Sequence, residues 1–349
     1  MIKAVSLFTG AGGMDVGFEA AGVNVVLANE IDKTAAQTYA VNHPDKEIIV
    51  DDINNTFIKL KEYEGIDLVF GGPPCQGFSV IGKMDPEDTR SQLIWAFLKA
   101  VEIIKPRAFI MENVKALAHI SKWKHIREEY TNKARQLGYG CFPFIINAAE
   151  YGTPQKRERV FFVGILGKYD FAEELNRLII QQKRSAPPVR ELFRDLGPAG
   201  TERNPNTCNA KITFAVKPIM RKNPYDCLLF NGIGRPIDPD GYSRTITASM
   251  GGNNTLIVDD VYLHDSSADN WIQFYYDRLI NHEIVPEFTE APSRLRRLTI
   301  KETARLQTFP DSYAFVGPKT NVYRQIGNAV PCEMARTVAK AITTYLAGL

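Results

Sequence analysis

Residues 4–22, AVSLFTGAGGMDVGFEAAG, predict a strand, a glycine turn and a helix. The β-type run 4–8 breaks at the glycines, and the helical pattern of residues 14–21 stops at Gly22. This order is typical of the first unit of a doubly wound α/β sheet, where missing β-carbons let a ligand lie against the backbone. The glycines miss the dinucleotide fingerprint, because G-x-G-x-x-G would require glycine or alanine where Asp15 stands.

Acidic residues follow the next two predicted strands, residues 23–28 and 47–50. Glu30 stands about 20 positions after the glycine turn, where a carboxylate commonly accepts hydrogen bonds from both ribose hydroxyls. The alternative interpretation of Glu30 is a solvated strand-end carboxylate or a helix cap together with Asp32. Asp52 is again an acid at the carboxyl end of a strand. Because no P-loop pattern occurs, the predicted cofactor is an adenosine that carries something other than a triphosphate.

A reactive thiol follows the fourth predicted strand, in residues 66–79, IDLVFGGPPCQGFS. The glycines and prolines stop the strand and place Cys75 on a loop at its carboxyl end, where open parallel sheets bind their ligands. Most free cysteines are small buried hydrophobes, but Gln76 and Ser79 suit a loop that faces solvent or substrate. The sequence therefore favours Cys75 as a nucleophile, and the polar residues 82–92 indicate a mobile lid beside it.

A further carboxylate and two arginines belong to later strands of the same predicted sheet. Glu112 follows the strand 108–111, where an isolated acid is a catalyst or, more commonly, a helix cap. Arg157 and Arg159 lie in the charged run 151–159. Charge runs are usually solvated, but the strand period of two places both arginines on one face. Both can then point at one anion or one polar base edge.

The periodicity weakens after about residue 168, which predicts a second domain. We assign residues 1–175, completed by 318–349, to a catalytic and cofactor-binding domain, and residues 176–317 to a smaller, irregular, β-rich domain. The first part of the smaller domain is basic and its last part is acidic, so any contact with phosphates falls to the first part.

Local patterns predict four further elements. Residues 116–137 predict one solvated helix, and residues 243–249 and 251–256 predict two strands around a glycine turn. A capping box of Thr299 and Glu302 opens a short helix. Residues 325–330 predict a turn, after which Pro331 begins the last helix.

Composition excludes several classes of protein. The 349 residues carry a net charge of +2 and 44% hydrophobic residues, which is typical of a globular chain without a polybasic tail. Five scattered cysteines indicate a reducing compartment without disulfides or a zinc site, and the dispersed histidines imply no metal. No stretch is apolar enough for a signal peptide or a membrane span, so we expect a cytoplasmic protein with no membrane partner.

With these segments identified, the chain resembles the DNA cytosine-5 methyltransferases, chiefly those of bacterial restriction-modification systems. The resemblance covers both ends of the chain and extends over many separate motifs in the family's order. The motifs are SLFTGAGGMDVGF, NEID, DDI, GGPPCQGFS, MENV, QKRERVFFVGI, RRLTIKETARLQTFPDSY and QIGNAVP. The resemblance implies a doubly wound mixed sheet of the S-adenosylmethionine-dependent methyltransferase type. It also implies that the smaller domain is similar to the family's variable target-recognition domain.

The resemblance also implies residue roles. Cys75 would be the nucleophile, Glu112 the acid that contacts the base, and Arg157 and Arg159 the arginines that line the base pocket. Cofactor contacts would come from Phe8, Gly10, Ala11, Gly13, Glu30, Asp52, Ile53, Leu93, Asn328 and Ala329. Substrate contacts would come from Gln76, Ser79 and a threonine of the recognition domain, either Thr247 or Thr255.

Two departures from the family pattern accompany these assignments. Ser6 stands where many members have an aspartate, which weakens any role for that position. Ile31 follows Glu30 where some members place an aromatic ring against the adenine, so stacking there is weaker.

The expected reaction is methyl transfer from S-adenosylmethionine to carbon 5 of a flipped-out cytosine, with S-adenosylhomocysteine as product. The expected partners are double-stranded DNA, bound by a monomer, and a cognate restriction endonuclease that acts on the same site without a stable complex. Two alternatives stay open from the sequence. One is a transfer RNA cytosine-5 methyltransferase of similar chemistry, and the other is a nicotinamide-dependent oxidoreductase that uses the glycine turn.

Overall fold

A seven-stranded sheet forms the centre of the protein in the computed structural model, which describes residues 1–74, 92–251 and 254–349. Its strands are β1 (Lys3–Leu7), β2 (Asn24–Asn29), β3 (Glu47–Ile49), β4 (Leu68–Gly71), β5 (Ala108–Val114), β6 (Tyr139–Asn147) and, after the two-residue β7 (Gln155–Lys156), β8 (Glu158–Leu166). The spatial order is β3-β2-β1-β4-β5-β8-β6. The first five strands pair in parallel and β8 is antiparallel to both of its neighbours, so the predicted doubly wound mixed sheet is confirmed.

The order of the strands reverses between β1 and β4. From β1 the chain proceeds outward to β2 and β3, and it then returns to place β4 on the other side of β1. Leu7 and Gly71, the last residues of the two strands, are direct partners in the register. The loops that leave both strands therefore begin at the switch point, which is where open α/β sheets bind ligands.

Helices cover both faces of the sheet. Adjacent residues of β1 alternate between the two cores, since Ala4 packs in one and Val5 in the other. Helices α1, α7 and α13 contribute to the first core, and α3 to α6 contribute to the second. The bounds are α1 (Gly13–Glu19), α2 (Lys33–Asn42), α3 (Ile53–Leu60), α4 (Leu93–Ile104), α5 (Lys115–His119), α6 (Lys124–Gln136), α7 (Ala172–Ile180), α8 (Val189–Phe193), α9 (Asp260–His264), α10 (Trp271–Ile280), α11 (Ile300–Leu306), α12 (Lys319–Asn328) and α13 (Cys332–Ala347).

Short strand pairs build the region between α7 and α11. β9 (Phe214–Ile219) pairs antiparallel with β10 (Leu228–Phe230), and β12 (Ile257–Asp259) pairs antiparallel with β13 (Leu295–Arg297). β11 (Ser243–Arg244) instead pairs in parallel with β7, which ties this region to the strand before β8. Two separate hydrophobic clusters fill its interior. No helix within the described ranges has the length and apolar content that a membrane crossing needs.

The capping box at Thr299 is confirmed, because its side chain accepts from the backbone of Glu302 and the Glu302 carboxylate accepts from the backbone of Thr299. The predicted final helix is confirmed as α13, with Pro331 as its N-cap rather than its first residue.

Three local predictions are wrong. The helix predicted at 116–137 is broken into α5 and α6 by extended backbone at Ile120, and this break lets Trp123 enter the core. The hairpin predicted at 243–256 is absent from the described part of that segment, because the side chain of Gln155 binds the Ile246 amide in place of a neighbouring strand. The turn predicted at 325–330 begins only at Ala329, since buried Ile326 extends α12.

Candidate active site

The glycine turn after β1 is held open in an unusual backbone conformation. Gly10 and Gly12 have φ angles of 57° and 85°, which glycine adopts without strain. Phe8 also has a positive φ, 54°, although a bulky side chain disfavours it. A β-carbon built on Gly10 would meet no atom within 4 Å, so the space beside this backbone is free for a ligand. Strained backbone of this kind concentrates at ligand sites.

Glu30 joins the glycine turn to the end of β2. One carboxylate oxygen accepts from the Gly10 amide at 2.7 Å, and the other accepts from the Asp32 amide at 2.8 Å. Burial raises the pKa of Glu30, while these backbone donors partly offset the effect. Asp32, not Glu30, caps α2, since it accepts from the Thr34 and Ala35 amides. The helix-cap alternative for Glu30 is therefore wrong, and each of its oxygens retains capacity for a further hydrogen bond.

The other predicted adenosine contacts lie around the start of α3. Asp52 caps this helix through the Asn54 amide, and Ile53 is buried beneath it. Asp52 and Leu93, the first residue of α4, both line a cavity of about 530 Å³. Among the residues that the structure describes, Asn54, Phe57, Gln92, Trp95, Ala96 and Lys99 also line this cavity. Ile31 is 62% exposed and forms no part of this lining.

The C-terminal segment reaches the glycine turn from the far end of the chain. A β-carbon built on Gly13 would lie 2.9 Å from the Ala329 β-carbon, so the two backbones are in close contact. α12 ends at Asn328, which is exposed, and Ala329 is its C-cap. Ala11 is buried, and its carbonyl accepts from the Tyr313 hydroxyl at 2.6 Å. The structure thus brings Gly13, at the end of the glycine turn, together with Ala329 and Val330.

Glu112 and Arg159 form an ion pair at the same edge of the sheet. Glu112 lies in β5 beside β8, and Nε of Arg159 is 2.9 Å from its Oε1 atom. A β-carbon built on Gly72 would lie 3.1 Å from Oε2 of Glu112, so the carboxylate touches the backbone that leads into the Cys75 loop. Val114, not Glu112, is the N-cap of α5, so the helix-cap alternative for Glu112 is wrong.

Opposing effects act on the Glu112 carboxyl. Burial raises its pKa, whereas Arg159 and Arg157 lower it, and the net direction is upward. Glu112 is therefore easier to protonate than an exposed glutamate, yet it remains beside a permanent cation. A carboxyl in this setting can donate a proton to a base and take it back.

Arg157 binds a different set of groups. Its Nη1 atom donates to the Ile246 carbonyl at 2.7 Å and to the Gly327 carbonyl at 3.3 Å. Arg157 is buried and precedes β8, whereas Arg159 lies within β8, so the two arginines do not belong to one strand as expected. Both arginines nevertheless act on Glu112 through their charge.

The C-5 cytosine-specific DNA methylase family matches residues 2–344 of the chain. This chain belongs to that family. The type II methyltransferase M.HindV of Haemophilus influenzae is 32% identical to this methylase over 354 residues, which cover 99% of the chain and 97% of the relative. M1.HphI of Haemophilus parahaemolyticus, also a type II methyltransferase, is 29% identical, with 97% and 86% of the two chains covered.

A solved structure agrees with the fold of the methylase. The S. pombe Dnmt2 methyltransferase superposes with a TM-score of 0.68 at 18% identity, over 100% of this chain and 99% of that one. The resemblance found in the motifs is confirmed, and the methylase is a cytosine-5 DNA methyltransferase with relatives among type II enzymes. This result favours the predicted function over both alternatives.

The two candidate threonines of the methylase occupy different environments. Thr247 is partly exposed, its hydroxyl lies 2.9 Å from that of Ser249, and its backbone packs against Gly327. Thr255 is completely buried, and its carbonyl accepts from Arg297. Thr247 alone can meet a substrate without rearrangement. Cys75, Gln76 and Ser79 lie outside the described residues.

Sequence reasoning assigned no function to three buried polar side chains near these residues. Asp15 accepts from Ser6 and Thr9 beneath the glycine turn, and Gln155 meets Gln307 between Arg157 and Ala329. The sequence does single out Asp15, because it stands where the dinucleotide fingerprint requires glycine or alanine. Gln155 opens the QKRER motif, but nothing in the sequence indicates that it contacts Gln307.

Proposed function

We propose that this methylase transfers a methyl group from S-adenosylmethionine to carbon 5 of a flipped cytosine in a specific duplex sequence, through a covalent bond to Cys75. The observation that carries the proposal is the position of Glu112. Its carboxylate is paired with Arg159 and touches Gly72, three residues before Cys75, at the edge of the sheet where the glycine turn also begins. The proposed proton donor, the described residues that lead to Cys75 and the proposed nucleoside cradle thus share one switch point, which supports the proposal.

The residues around the glycine turn fit an S-adenosylmethionine molecule. The open space beside Gly10 admits the ligand, and both oxygens of Glu30 have capacity left for the ribose hydroxyls. Asp52 and Ile53 would contact the adenine, and Leu93, Asn328 and Ala329 would complete the methionine end of the site. Phe8, Ala11 and Gly13 would line the rest of it. When bound, the cofactor supplies an electrophilic methyl group on a sulfonium.

The chain's own residues make the cytosine nucleophilic. The Cys75 thiolate forms a bond to carbon 6, and the electrons of the 5,6 double bond become available at carbon 5. Charge that builds at N3 is neutralised by a proton from Glu112, whose raised pKa favours this donation. Arg159 holds the carboxylate in place and Arg157 adds positive charge. After methylation, a water molecule accepts the carbon 5 proton, and the electrons of that C–H bond re-form the 5,6 double bond as the bond from carbon 6 to sulfur breaks. Cys75 leaves as thiolate, and N3 returns its proton to Glu112.

A stacked base cannot present its faces to these groups, so the target cytosine must leave the helix at a cost of roughly a few kcal/mol. Gln76, Ser79 and Thr247 would contact the flipped nucleotide and its neighbours. The region between α7 and α11 would read flanking bases in the major groove and set the recognition sequence. We further propose that the methylase acts as a monomer in the cytoplasm. Its cognate endonuclease would share the site without forming a stable complex.

The test combines a methylation assay on two polymers with mapping of the methylated sites. Purified protein is incubated with labelled S-adenosylmethionine and duplex DNA or transfer RNA, and bisulfite sequencing then maps DNA from cells that express the chain. We expect label in DNA and protected cytosines within one short sequence. Label in transfer RNA alone, or unprotected DNA throughout, would refute the proposal.

A further inference from the structure

Two buried glutamines meet between the segment that contains Thr247, which is proposed to contact DNA, and the segment that contains Ala329, which is proposed to contact the cofactor. Gln155 lies in β7 and Gln307 follows α11, and both side chains are completely buried. Nε2 of Gln155 donates to Oε1 of Gln307 at 2.9 Å and to the Leu306 carbonyl at 3.2 Å. Buried amides of this kind are costly to leave unpaired, so the bond fixes both side chains.

The Gln155 end of this pair holds the segment that contains Thr247. Oε1 of Gln155 accepts from the Ile246 amide at 2.9 Å, while Arg157 donates to the Ile246 carbonyl at 2.7 Å. Ile246 itself is buried. The residue immediately before Thr247 is therefore fixed on both sides by side chains from β7 and its flank.

The Gln307 end holds the segment that contacts the glycine turn. Nε2 of Gln307 donates to the Ile326 carbonyl at 2.7 Å and to the Ala329 carbonyl at 3.1 Å, and the Gln307 carbonyl accepts from the Cys332 amide at 3.0 Å. Ala329 in turn lies against Gly13. One side-chain amide therefore sets the backbone on which the proposed methionine end of the cofactor site depends.

We propose that Gln155 and Gln307 are positioning residues that couple DNA binding to cofactor binding. The inference rests on the proposed function, because it uses the roles given there to Thr247 and Ala329. A shift of the Ile246 backbone on DNA binding must move Gln155 or break its bonds, and Gln307 transmits that change to Ala329. Coupling between two binding equilibria is reciprocal. We therefore expect the factor by which DNA strengthens cofactor binding to equal the factor by which cofactor strengthens DNA binding.

The decisive variants are Gln155→Met and Gln307→Met, which keep the volume of the side chain but remove its donors and acceptor. The matched control is Gln325→Met. Gln325 is also buried and makes two side-chain hydrogen bonds, with Thr38 and the Val316 carbonyl, whereas Gln155 and Gln307 make three each. Gln325 does not connect the Thr247 segment to Ala329. Each test variant loses three hydrogen bonds and the control variant loses two, so Gln325→Met reports the effect of a general loss of stability of similar origin.

The measurement is the dissociation constant of S-adenosylhomocysteine, with and without a duplex that carries the site mapped by bisulfite sequencing. We expect the duplex to strengthen binding about 10-fold in the unaltered methylase and in Gln325→Met. In Gln155→Met and Gln307→Met we expect less than about threefold strengthening, and the double variant should lose no more than either single variant. The inference would be overturned if the duplex strengthened S-adenosylhomocysteine binding equally in the unaltered methylase and in both single variants. It would also be overturned if the duplex did not strengthen this binding in the unaltered methylase.

Hydrogen exchange in the unaltered methylase tests the same coupling if the variants fail to fold. S-adenosylhomocysteine alone should slow exchange of a peptide covering residues 243–251, which includes the Ile246 amide bound by Gln155. Equal exchange with and without the ligand would contradict the coupling. Failure of the inference differs from failure of the proposed function, since the latter appears as absent DNA methylation before any variant is made.

Discussion

Arg159 and Glu112 are joined across adjacent strands, with Nε of the arginine 2.9 Å from Oε1 of the glutamate. Both side chains are largely buried, so the pair is weakly screened by solvent and fixes the carboxylate against Gly72. The ion pair forms because β8 is antiparallel to β5, which brings the start of β8 to the carboxyl end of β5. The catalytic roles proposed for both residues depend on this topology.

Replacing Glu112 by glutamine removes the proposed proton donor but keeps the shape of the side chain. We expect methyl transfer to slow by about 100-fold or more, which is the usual contribution of a positioned acid, while the DNA dissociation constant changes by less than about threefold. Single-turnover rates and DNA binding are measured on the same samples. Glu158→Gln is the matched control, since Glu158 lies on the same strand as Arg159 but pairs with Lys115 at the surface. Equal losses of rate and binding would assign Glu112 a structural role.

Replacing Cys75 by serine should abolish turnover, because an alcohol is a far weaker nucleophile than a thiolate at neutral pH. Binding of S-adenosylhomocysteine should survive, since no cofactor contact is assigned to Cys75. The control is Cys141→Ser, because burial raises the pKa of the Cys141 thiol and keeps it protonated.

The same cysteine can be tested by trapping. With 5-fluorocytosine at the target position, carbon 5 has no proton to lose, so the bond to Cys75 should persist in a denaturing gel. Full activity of Cys75→Ser, or a trapped adduct in that variant, would remove Cys75 as the nucleophile.

Replacing Glu30 by glutamine should weaken binding of S-adenosylhomocysteine by about 10-fold, because a charged acceptor for the ribose is lost. The same change also removes an acceptor from the Gly10 or Asp32 amide. Calorimetric titration measures the affinity, and Glu47→Gln on the neighbouring strand β3 serves as control, as Glu47 pairs with Lys59 at the surface. Equal affinities in the two variants would place the ribose elsewhere.

The positions of the strand ends could be predicted from the sequence because their causes are local. A β-type run that stops at glycines or an acid sets the ends of β1 and β2 within a residue or two. The strand predicted to stop before Glu112 instead continues to Val114, so Glu112 lies within β5. These signals depend only on neighbouring residues. The sequence pattern therefore identified the elements on which the site is built.

The relations between distant segments could not be predicted in this way. Residues 245–249 look like a strand, but the buried Gln155 side chain satisfies the Ile246 amide, and no local pattern reveals that partner. Arg157 and Arg159 looked equivalent, yet one binds Ile246 and Gly327 while the other binds Glu112. Such differences arise from long-range contacts that override local propensity.

Asp15 is expected to make stability depend on pH. Its carboxyl is completely buried and accepts from Ser6, Thr9 and Tyr39. Burial, the largest effect, raises its pKa from 3.8 to about 6, although the hydroxyl donors oppose the change. The folded state therefore favours the protonated acid, and this contribution is fully present below pH 3.8 and is lost as pH rises through about 6.

Asp15→Asn removes this titration while keeping the size of the side chain. Relative to the unaltered methylase, the variant should gain up to about 3 kcal/mol in free energy of unfolding between about pH 4 and pH 7, because a tenfold difference in proton affinity between the folded and unfolded states corresponds to about 1.4 kcal/mol. Urea unfolding at closely spaced pH values measures the difference in free energy of unfolding between the variant and the unaltered methylase. The contributions of the other titrating groups cancel in this difference. Loss of hydrogen bonds in the variant displaces its curve by a constant and leaves the slope unaffected. Parallel curves over this range would show that Asp15 does not change its protonation on unfolding.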